Sequence, residues 1–193
     1  MLIALTQNGE LNNTVLIFTS DNGYLFGDHR LIRKTHAYEE SIRVPLYIRA
    51  PGSTKQSVSQ LVLNNDLAPT IAQFAGATPG IPVDGRSLIP LLRNPSLANW
   101  RKRFLIENWQ KDLFSPPYFA IRTSNTDTQT PNQLYVTYST GSKEFYDLTS
   151  DPYQLQSLHN QPGSRQQQIQ ILQNRLANLK VCKGETCRTL EGN

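Results

Sequence analysis

The feature that most constrains the fold is an apolar run that ends abruptly in a carboxylate, an amide and a glycine. Val15–Phe18 contains no polar residue, and Asp21, Asn22 and Gly23 follow it closely. Such a run predicts a strand buried on both faces of a parallel sheet. Because open α/β sheets gather ligands at the carboxyl ends of their strands, we expect Asp21 and Asn22 to project oxygens into a crevice.

The chemistry of these two side chains suits a hard cation. One carboxylate beside one amide oxygen is a donor set that Ca²⁺ accepts, but Ca²⁺ takes about 6 to 8 oxygen ligands, so further carboxylates must come from elsewhere. In isolation an Asp-Asn-Gly triplet is more often a turn, since Asn and Gly tolerate positive φ. The preceding strand and the segment that follows favour metal ligation here.

A cationic loop follows the triplet. Lys34 is a mobile point charge that could reach an anionic ester oxygen at the metal, and His29 is a possible proton donor or hydrogen-bond partner. A solvated surface position is the alternative for each of them. Residues 43–52 predict a second strand that ends at a Pro-Gly turn, so the order of elements is that of a βαβ unit.

Residues 14–52 resemble the type I sulfatase family within the alkaline-phosphatase-like superfamily. That family shows a strand ending in an Asp-Asn-Gly or Asp-His-Gly step, a glycine-acid-His turn, a lysine, and a Tyr-Glu-Glu-Ser-Ile-Arg-Val-Pro-Leu stretch before a Pro-Gly turn. The resemblance implies that Asp21 and Asn22 ligate calcium and that Lys34 holds a sulfate ester. For His29 the resemblance implies only a position in the pocket. Arg33 occupies the position before Lys34 where the family often has glycine.

The chain lacks the segment that carries the nucleophile in that family. Type I sulfatases use a Cys or Ser in a Cys/Ser-x-Pro-x-Arg motif, converted to formylglycine, together with paired aspartates near their first strand. No such pentapeptide occurs among the 193 residues. We therefore expect the C-terminal portion of a longer sulfatase, inactive as an isolated chain.

The two cysteines lie near the C-terminal end. Four residues, including Gly184, separate Cys182 from Cys187, so a disulfide between them is feasible, with a free thiol pair as the alternative. A disulfide would imply an oxidising compartment. We expect a secreted, periplasmic or lysosome-like location.

The sequence divides once, near residue 95, into two predicted domains. Residues 1–97 are expected to form the C-terminal part of an alkaline-phosphatase-like α/β sandwich, and residues 98–193 a small α+β subdomain. In the first domain, residues 65–76 predict a helix between an Asn or Asp cap and a glycine. Its expected buried face consists of Leu67, Ile71, Phe74 and Ala75.

Four short runs of β-branched and aromatic residues predict an antiparallel meander in the second domain. A final helix is expected over residues 165–180, covering one face of that small sheet with Ile169, Leu172, Leu176 and Leu179. Trp109, at the end of the first run, could face a sugar, but a core position is the stronger expectation.

The overall composition excludes some classes of function. The formal net charge of +4 is mild and fits an anionic ligand such as a sulfated sugar or sulfated small molecule, while no basic-aromatic pattern indicates nucleic acid. Nothing approaches 18 consecutive apolar residues, so no membrane span is expected.

Two alternatives to a sulfatase stay open. The first is a phosphodiesterase or phosphomutase relative from the same superfamily, because phosphate and sulfate esters share tetrahedral geometry. Two-zinc relatives use extra histidines, however, and only His29, His36 and His159 occur here, so an oxygen-liganded metal fits better. The second alternative is a noncatalytic remnant.

Overall fold

The computed structural model describes residues 1–109, 115–161 and 163–192. The helices are α1 (Leu2–Gln7), α2 (Glu39–Ile42), α3 (Leu67–Phe74), α4 (Ile89–Arg93), α5 (Ser164–Leu179) and α6 (Glu185–Leu190). The strands are β1 (Leu16–Thr19), β2 (Leu25–Phe26), β3 (Ile32–Arg33), β4 (Leu46–Arg49), β5 (Arg103–Asn108), β6 (Tyr118–Thr123), β7 (Gln133–Tyr138) and β8 (Lys143–Asp147). Within the described residues, no helix combines the length and the apolarity that crossing a membrane requires.

The first strand pair runs antiparallel. Leu16 lies opposite Arg49 and Thr19 opposite Leu46, so the prediction of a parallel βαβ arrangement is wrong for β1 and β4. A parallel return needs a crossover that carries the chain back along the whole strand, usually a helix. Among the described residues, the α-helix between the two strands is α2, and its four residues are too short for that crossover.

The β1–β4 pair is buried on one face only. Leu46 and Ile48 of β4 pack on Leu88 and Leu91, which lie at the start of α4 and within it. On the opposite face, Phe18 and Tyr47 are exposed and contact each other with ring centroids 6.1 Å apart. The expectation that the first strand is buried on both faces is therefore wrong for this chain.

The second half of the chain contains the predicted meander. Strands β5 to β8 form a four-stranded antiparallel sheet in sequence order, which confirms the prediction. Because successive side chains alternate between faces, the sheet has two apolar sides. One side packs on α5 through Ile169, Leu172, Leu176 and Leu179, as predicted. The other side contacts Ala37 and Tyr38, in the segment that follows the cationic loop.

The inward face of α3 differs from the prediction. Asp66 and Thr70 are buried, whereas Ile71 is exposed. The Thr70 hydroxyl donates to the Asp66 carbonyl and accepts from the Leu88 backbone N–H. Asp66 accepts two hydrogen bonds from the Arg101 guanidinium at 2.6 and 2.8 Å, and that polar cluster takes the place of an apolar contact.

Buried charges join the two predicted domains. Arg101 is wholly buried, and besides Asp66 it contacts Glu191, whose Oε2 lies 2.7 Å from its Nε. Glu191 also lies 3.3 Å from Arg86. The segment that carries Glu191 follows a disulfide between Cys182 and Cys187. The boundary near residue 97 stays a prediction, since these contacts cross it.

Candidate active site

The structure brings together three of the four candidate catalytic and metal-binding side chains that the sequence singled out. The Lys34 ammonium donates to Asn22 Oδ1 at 2.9 Å and lies 3.9 Å from Asp21 Oδ2. Asp21 is 82% exposed at its side chain and Lys34 is 52% exposed. An anionic oxygen, an amide oxygen and an ammonium therefore share one solvent-facing position at the end of β1.

Local hydrogen bonds orient the two side chains, Asp21 and Asn22, whose oxygens are the candidate metal ligands. Asp21 Oδ1 accepts from the Asn22 backbone N–H at 3.0 Å, and the Ser20 hydroxyl donates to the Asn22 carbonyl at 2.9 Å. Asn22 Nδ2 donates to the Gly23 carbonyl at 2.8 Å. Because the amide nitrogen is used inside the turn, Asn22 Oδ1 faces outward toward Lys34.

Two further residues fix the turn to the rest of the fold. The Gly23 backbone N–H donates to the Ser41 carbonyl at 2.8 Å, and a Cβ at Gly23 would lie 2.0 Å from the Glu40 carbonyl oxygen. Only glycine permits this approach. Asn64 Nδ2 donates to the carbonyls of Ser20 and Asp21 at 3.1 and 2.8 Å. Sequence reasoning missed Asn64, because an Asn before a helix indicates a cap.

The donors fit part of a calcium shell. Carboxylate and amide oxygens are hard ligands of the kind that Ca²⁺ selects. In the described part of the chain, no group of three or more His, Cys, Asp or Glu side chains could hold a metal. Asp21 and Asn22 could therefore supply only part of such a site, which would need additional oxygen ligands.

His29 lies beside α2 and is only 10% exposed at its side chain. Its ring stacks on Tyr38, with centroids 3.8 Å apart and planes at 11°, and its Nε2 lies 3.4 Å from Glu40 Oε2. The contacts of His29 are thus with Tyr38 and Glu40 rather than with Asp21 or Lys34. His29 therefore packs against residues 38 and 40 of the following segment, and its role in a ligand pocket stays a prediction.

Trp109 is exposed, so the expectation of a core position is wrong. Its side chain is 70% exposed and contacts Phe119 of β6 edge-on, with ring centroids 5.0 Å apart. The neighbouring Asn108 Nδ2 lies 3.5 Å from the Ser115 hydroxyl, which donates to the Thr35 carbonyl at 2.6 Å. The end of β5 therefore lies beside the residue that follows Lys34.

The sheet holds the same segment through a carboxylate that sequence reasoning also missed. Glu144 accepts hydrogen bonds from the hydroxyls of Tyr138 at 3.1 Å, Tyr146 at 3.2 Å and Tyr38 at 3.4 Å. Burial, and then the charge of Glu144, raises the pKa of Tyr38 to about 12. The Tyr38 hydroxyl thus keeps its proton and stays a donor. In the sequence, Glu144 stands out only as a polar residue in a strand.

Two contacts at Glu39 complete the attachment of this segment to the sheet and its turns. The Glu39 carboxylate lies 2.8 Å from Arg122 Nε of β6. The Glu39 backbone N–H donates to Gln154 Oε1 at 2.8 Å. Residues 35–40 are therefore held by the second half of the chain at several independent positions.

Comparison with known proteins places these features in a family. The family model described as N-sulphoglucosamine sulphohydrolase, C-terminal, matches residues 27–182. The chain is 33% identical to an N-acetylglucosamine-6-sulfatase of Capra hircus over 96% of this chain and 38% of that protein. A solved structure described as a complex with its substrate D-glucosamine-2-N,6-O-disulfate has a TM-score of 0.79 and 29% identity, covering 93% of this chain and 37% of that one.

A third protein resembles the chain in fold alone. The phosphonate monoester hydrolase of Agrobacterium radiobacter has a TM-score of 0.78 at 24% identity, over 91% of this chain and 37% of that one. These matches confirm the predicted α/β fold class. They also show that this chain spans about 38% of the length of the sulfatase it matches.

Proposed function

This chain belongs to the type I sulfatase family of the alkaline-phosphatase-like superfamily, and on that basis we propose that it forms the C-terminal part of an enzyme that hydrolyses sulfate esters. The observation that carries the proposal is the grouping of Asp21, Asn22 and Lys34 at the end of β1. A sulfate ester is a tetrahedral anion, and a cation site beside an exposed ammonium is suited to hold it.

The three side chains have separate roles in this proposal. Asp21 and Asn22 would hold a calcium ion, which when bound would supply positive charge near the sulfate. The Lys34 ammonium moves its hydrogen bond from Asn22 Oδ1 to an oxygen of the bound ester. The exposed side chain of Lys34 permits this movement. Positive charge placed where negative charge develops is a large contribution to catalysis.

The remaining parts of the active site come from additional polypeptide in this proposal. The nucleophile is a formylglycine from a Cys/Ser-x-Pro-x-Arg motif, and further carboxylates complete the calcium shell. Two exposed aromatic side chains that contact each other on the open face of β1 and β4, Phe18 and Tyr47, support a covering partner segment.

A sulfated sugar is the proposed substrate class. One matching relative is named N-acetylglucosamine-6-sulfatase, and one matching structure is described as a complex with D-glucosamine-2-N,6-O-disulfate, so both support the assignment by similarity. Trp109 offers an exposed aromatic face near the segment of Lys34, of the kind on which a sugar ring can pack. The disulfide supports a secreted, periplasmic or lysosome-like location.

Phosphate or phosphonate ester cleavage is the second candidate. The likeness to a phosphonate monoester hydrolase favours it, but that likeness concerns the fold. The donor set argues against a two-zinc site, because His29 is stacked on Tyr38 and His36 is buried. Oxygen donors are the better match to calcium than to zinc.

The test uses the longest natural reading frame that contains this chain, assayed with an aryl sulfate and an aryl phosphate. We expect a preference for the sulfate. Lys34→Ala should lower kcat/KM for the sulfate by about 10²–10³-fold, the loss typical of removing one group that stabilises developing charge. The matched control is Lys55→Ala, an exposed lysine away from the site. A preference for phosphate, or equal activity of the two variants, would overturn the proposal.

A further inference from the structure

Tyr38 links the candidate site to the second half of the chain. On one side its ring stacks on His29 with centroids 3.8 Å apart. On the other side its hydroxyl reaches Glu144 Oε1 at 3.4 Å, and its ring meets that of Tyr146 edge-on at 6.2 Å. The two ends of one side chain therefore contact the loop of Lys34 and the four-stranded sheet.

The sheet end of this link is rigid. Glu144 lies on β8 and is held by the hydroxyls of Tyr138 and Tyr146 as well as that of Tyr38. Ala37, next to Tyr38, packs in the apolar cluster on the same face of the sheet. Such a network fixes its members when each polar group is satisfied.

The loop end is the part that needs support. His29, Arg30 and Arg33 all have positive φ, at 54°, 58° and 93°. Residues other than glycine adopt this region at an energetic cost and keep it only where surrounding contacts enforce it. The stack on Tyr38 and the approach of His29 Nε2 to Glu40 are the contacts that hold His29.

We propose that Tyr38 is a positioning residue, whose ring clamps His29 and whose hydroxyl is fixed by Glu144, so that the meander sets the position of the loop that presents Lys34. The significance for Lys34 rests on the proposed function, whereas the clamp itself does not. This assigns His29 to holding the loop rather than to reacting with a substrate.

The experiment measures amide hydrogen exchange of residues 27–34 in the whole 193-residue chain. Tyr38→Leu removes both the stack and the hydroxyl bond, and we expect exchange there to rise about 2- to 10-fold. Tyr38→Phe keeps the stack and should raise it less. Glu144→Gln, which keeps the side-chain shape but removes the charge, should also produce a smaller rise than Tyr38→Leu.

Tyr135→Leu is the matched control. Tyr135 is buried on the opposite face of the same sheet, in the cluster that contains α5. Its substitution should raise exchange in α5 and the strands without a specific rise at residues 27–34. An equal rise in the loop for Tyr135→Leu, or none for Tyr38→Leu, would overturn the proposal.

A second readout separates positioning from general destabilisation. The His29 ring protons feel the ring current of Tyr38, so their NMR resonances should move downfield in Tyr38→Leu and stay in place in Tyr38→Phe. Unchanged resonances in Tyr38→Leu would contradict the stack. Neither measurement uses metal or substrate, so failure here leaves the sulfatase proposal standing, and failure of the Lys34 assay leaves the clamp standing.

Discussion

At the scale of single residues, Gly23 shows how closely the turn of the candidate site packs against the backbone of α2. The turn after β1 places Gly23 where its backbone N–H bonds to Ser41, and a Cβ would meet the Glu40 carbonyl oxygen at 2.0 Å. Gly23 has no positive φ, so its requirement is space, not backbone conformation. The position of Asp21 and Asn22 depends on that approach.

Gly23→Ala should therefore destabilise the chain by about 1–3 kcal/mol, the cost typical of forcing atoms into packed space. Urea unfolding measures the change. Gly80→Ala is the control, since a Cβ there meets nothing within 4 Å and φ is not positive. It should be neutral or slightly stabilising. Equal stability of the two variants would show that the turn is looser than described.

Individual site residues differed in how far the sequence could identify them. Asp21, Asn22 and Lys34 are close in sequence and lie within one motif, so their grouping could be predicted. The partners of His29 could be only partly foreseen, because Tyr38 is typical of a core position. Asn64 and Glu144 contact the site segment from distant parts of the chain, and no local pattern marks such contacts.

At the scale of elements, the relative direction of paired strands was harder to predict than the presence of the strands. The apolar run Val15–Phe18 predicted a strand, and β1 is one. Its apolar character carries no information on the direction of its partner, which β4 supplies in antiparallel orientation. The meander and α5 were predicted well, since their alternation and helical spacing match the faces they bury.

Helix α3 differs because part of its inward face is polar, while Leu67 packs on the apolar cluster of Leu88 and Leu91. Asp66 and Arg101 are both wholly buried, so each compensates the charge of the other. Asp66 also accepts from the backbone N–H groups of Leu63 and Arg86, at 2.8 and 2.7 Å. A pattern search for apolar residues selects Ile71 instead, because it cannot anticipate an ion pair with a residue 35 positions away.

Asp66→Ala should cost about 3–5 kcal/mol in the free energy of unfolding, because it leaves the Arg101 charge buried without its main partner. Denaturant titration measures this loss. The control is Glu185→Gln, which removes an exposed ion pair with Arg188 and should cost at most about 1 kcal/mol. Similar losses in both variants would mean that the Asp66 pair contributes little.

A second buried carboxylate joins β5 to α5 and predicts a pH dependence. Burial alone would raise the pKa of Asp127, but Arg103, the Thr130 N–H and Arg175 hold it below its ordinary value. An acid with a lowered folded-state pKa stabilises the fold above its unfolded pKa of about 3.9 and loses that contribution as pH falls further.

Wild type should therefore exceed Asp127→Asn in stability at neutral pH, and the difference should shrink as pH falls below about 4. Thermal unfolding of both proteins between neutral and acidic pH measures it. A difference that stays constant across this range would argue against the assigned ionisation of Asp127.

At the scale of the whole molecule, the four-stranded sheet β5–β8 packs against other parts of the chain on both of its faces. The α5 side forms a conventional apolar core, while the opposite side contacts residues 37 and 38 of the site segment. The family resemblance made the fold class predictable from the sequence. It could not predict that the meander contacts the segment after Lys34, because those contacts join residues about 100 positions apart, as between Tyr38 and Glu144 at a separation of 106.

Asp21 and Asn22 are proposed to form part of a site for a hard cation next to Lys34. Calcium titration of the isotopically labelled chain, followed by NMR at the Asn22 side-chain amide and the backbone of residues 20–23, tests it most directly. With two side-chain ligands we expect saturable shifts confined to this turn and to Lys34, with a Kd weaker than about 10⁻³ M. Asp21→Asn should abolish them. Shifts that are absent from the turn, or equally large in Asp21→Asn, would contradict a cation site at Asp21 and Asn22.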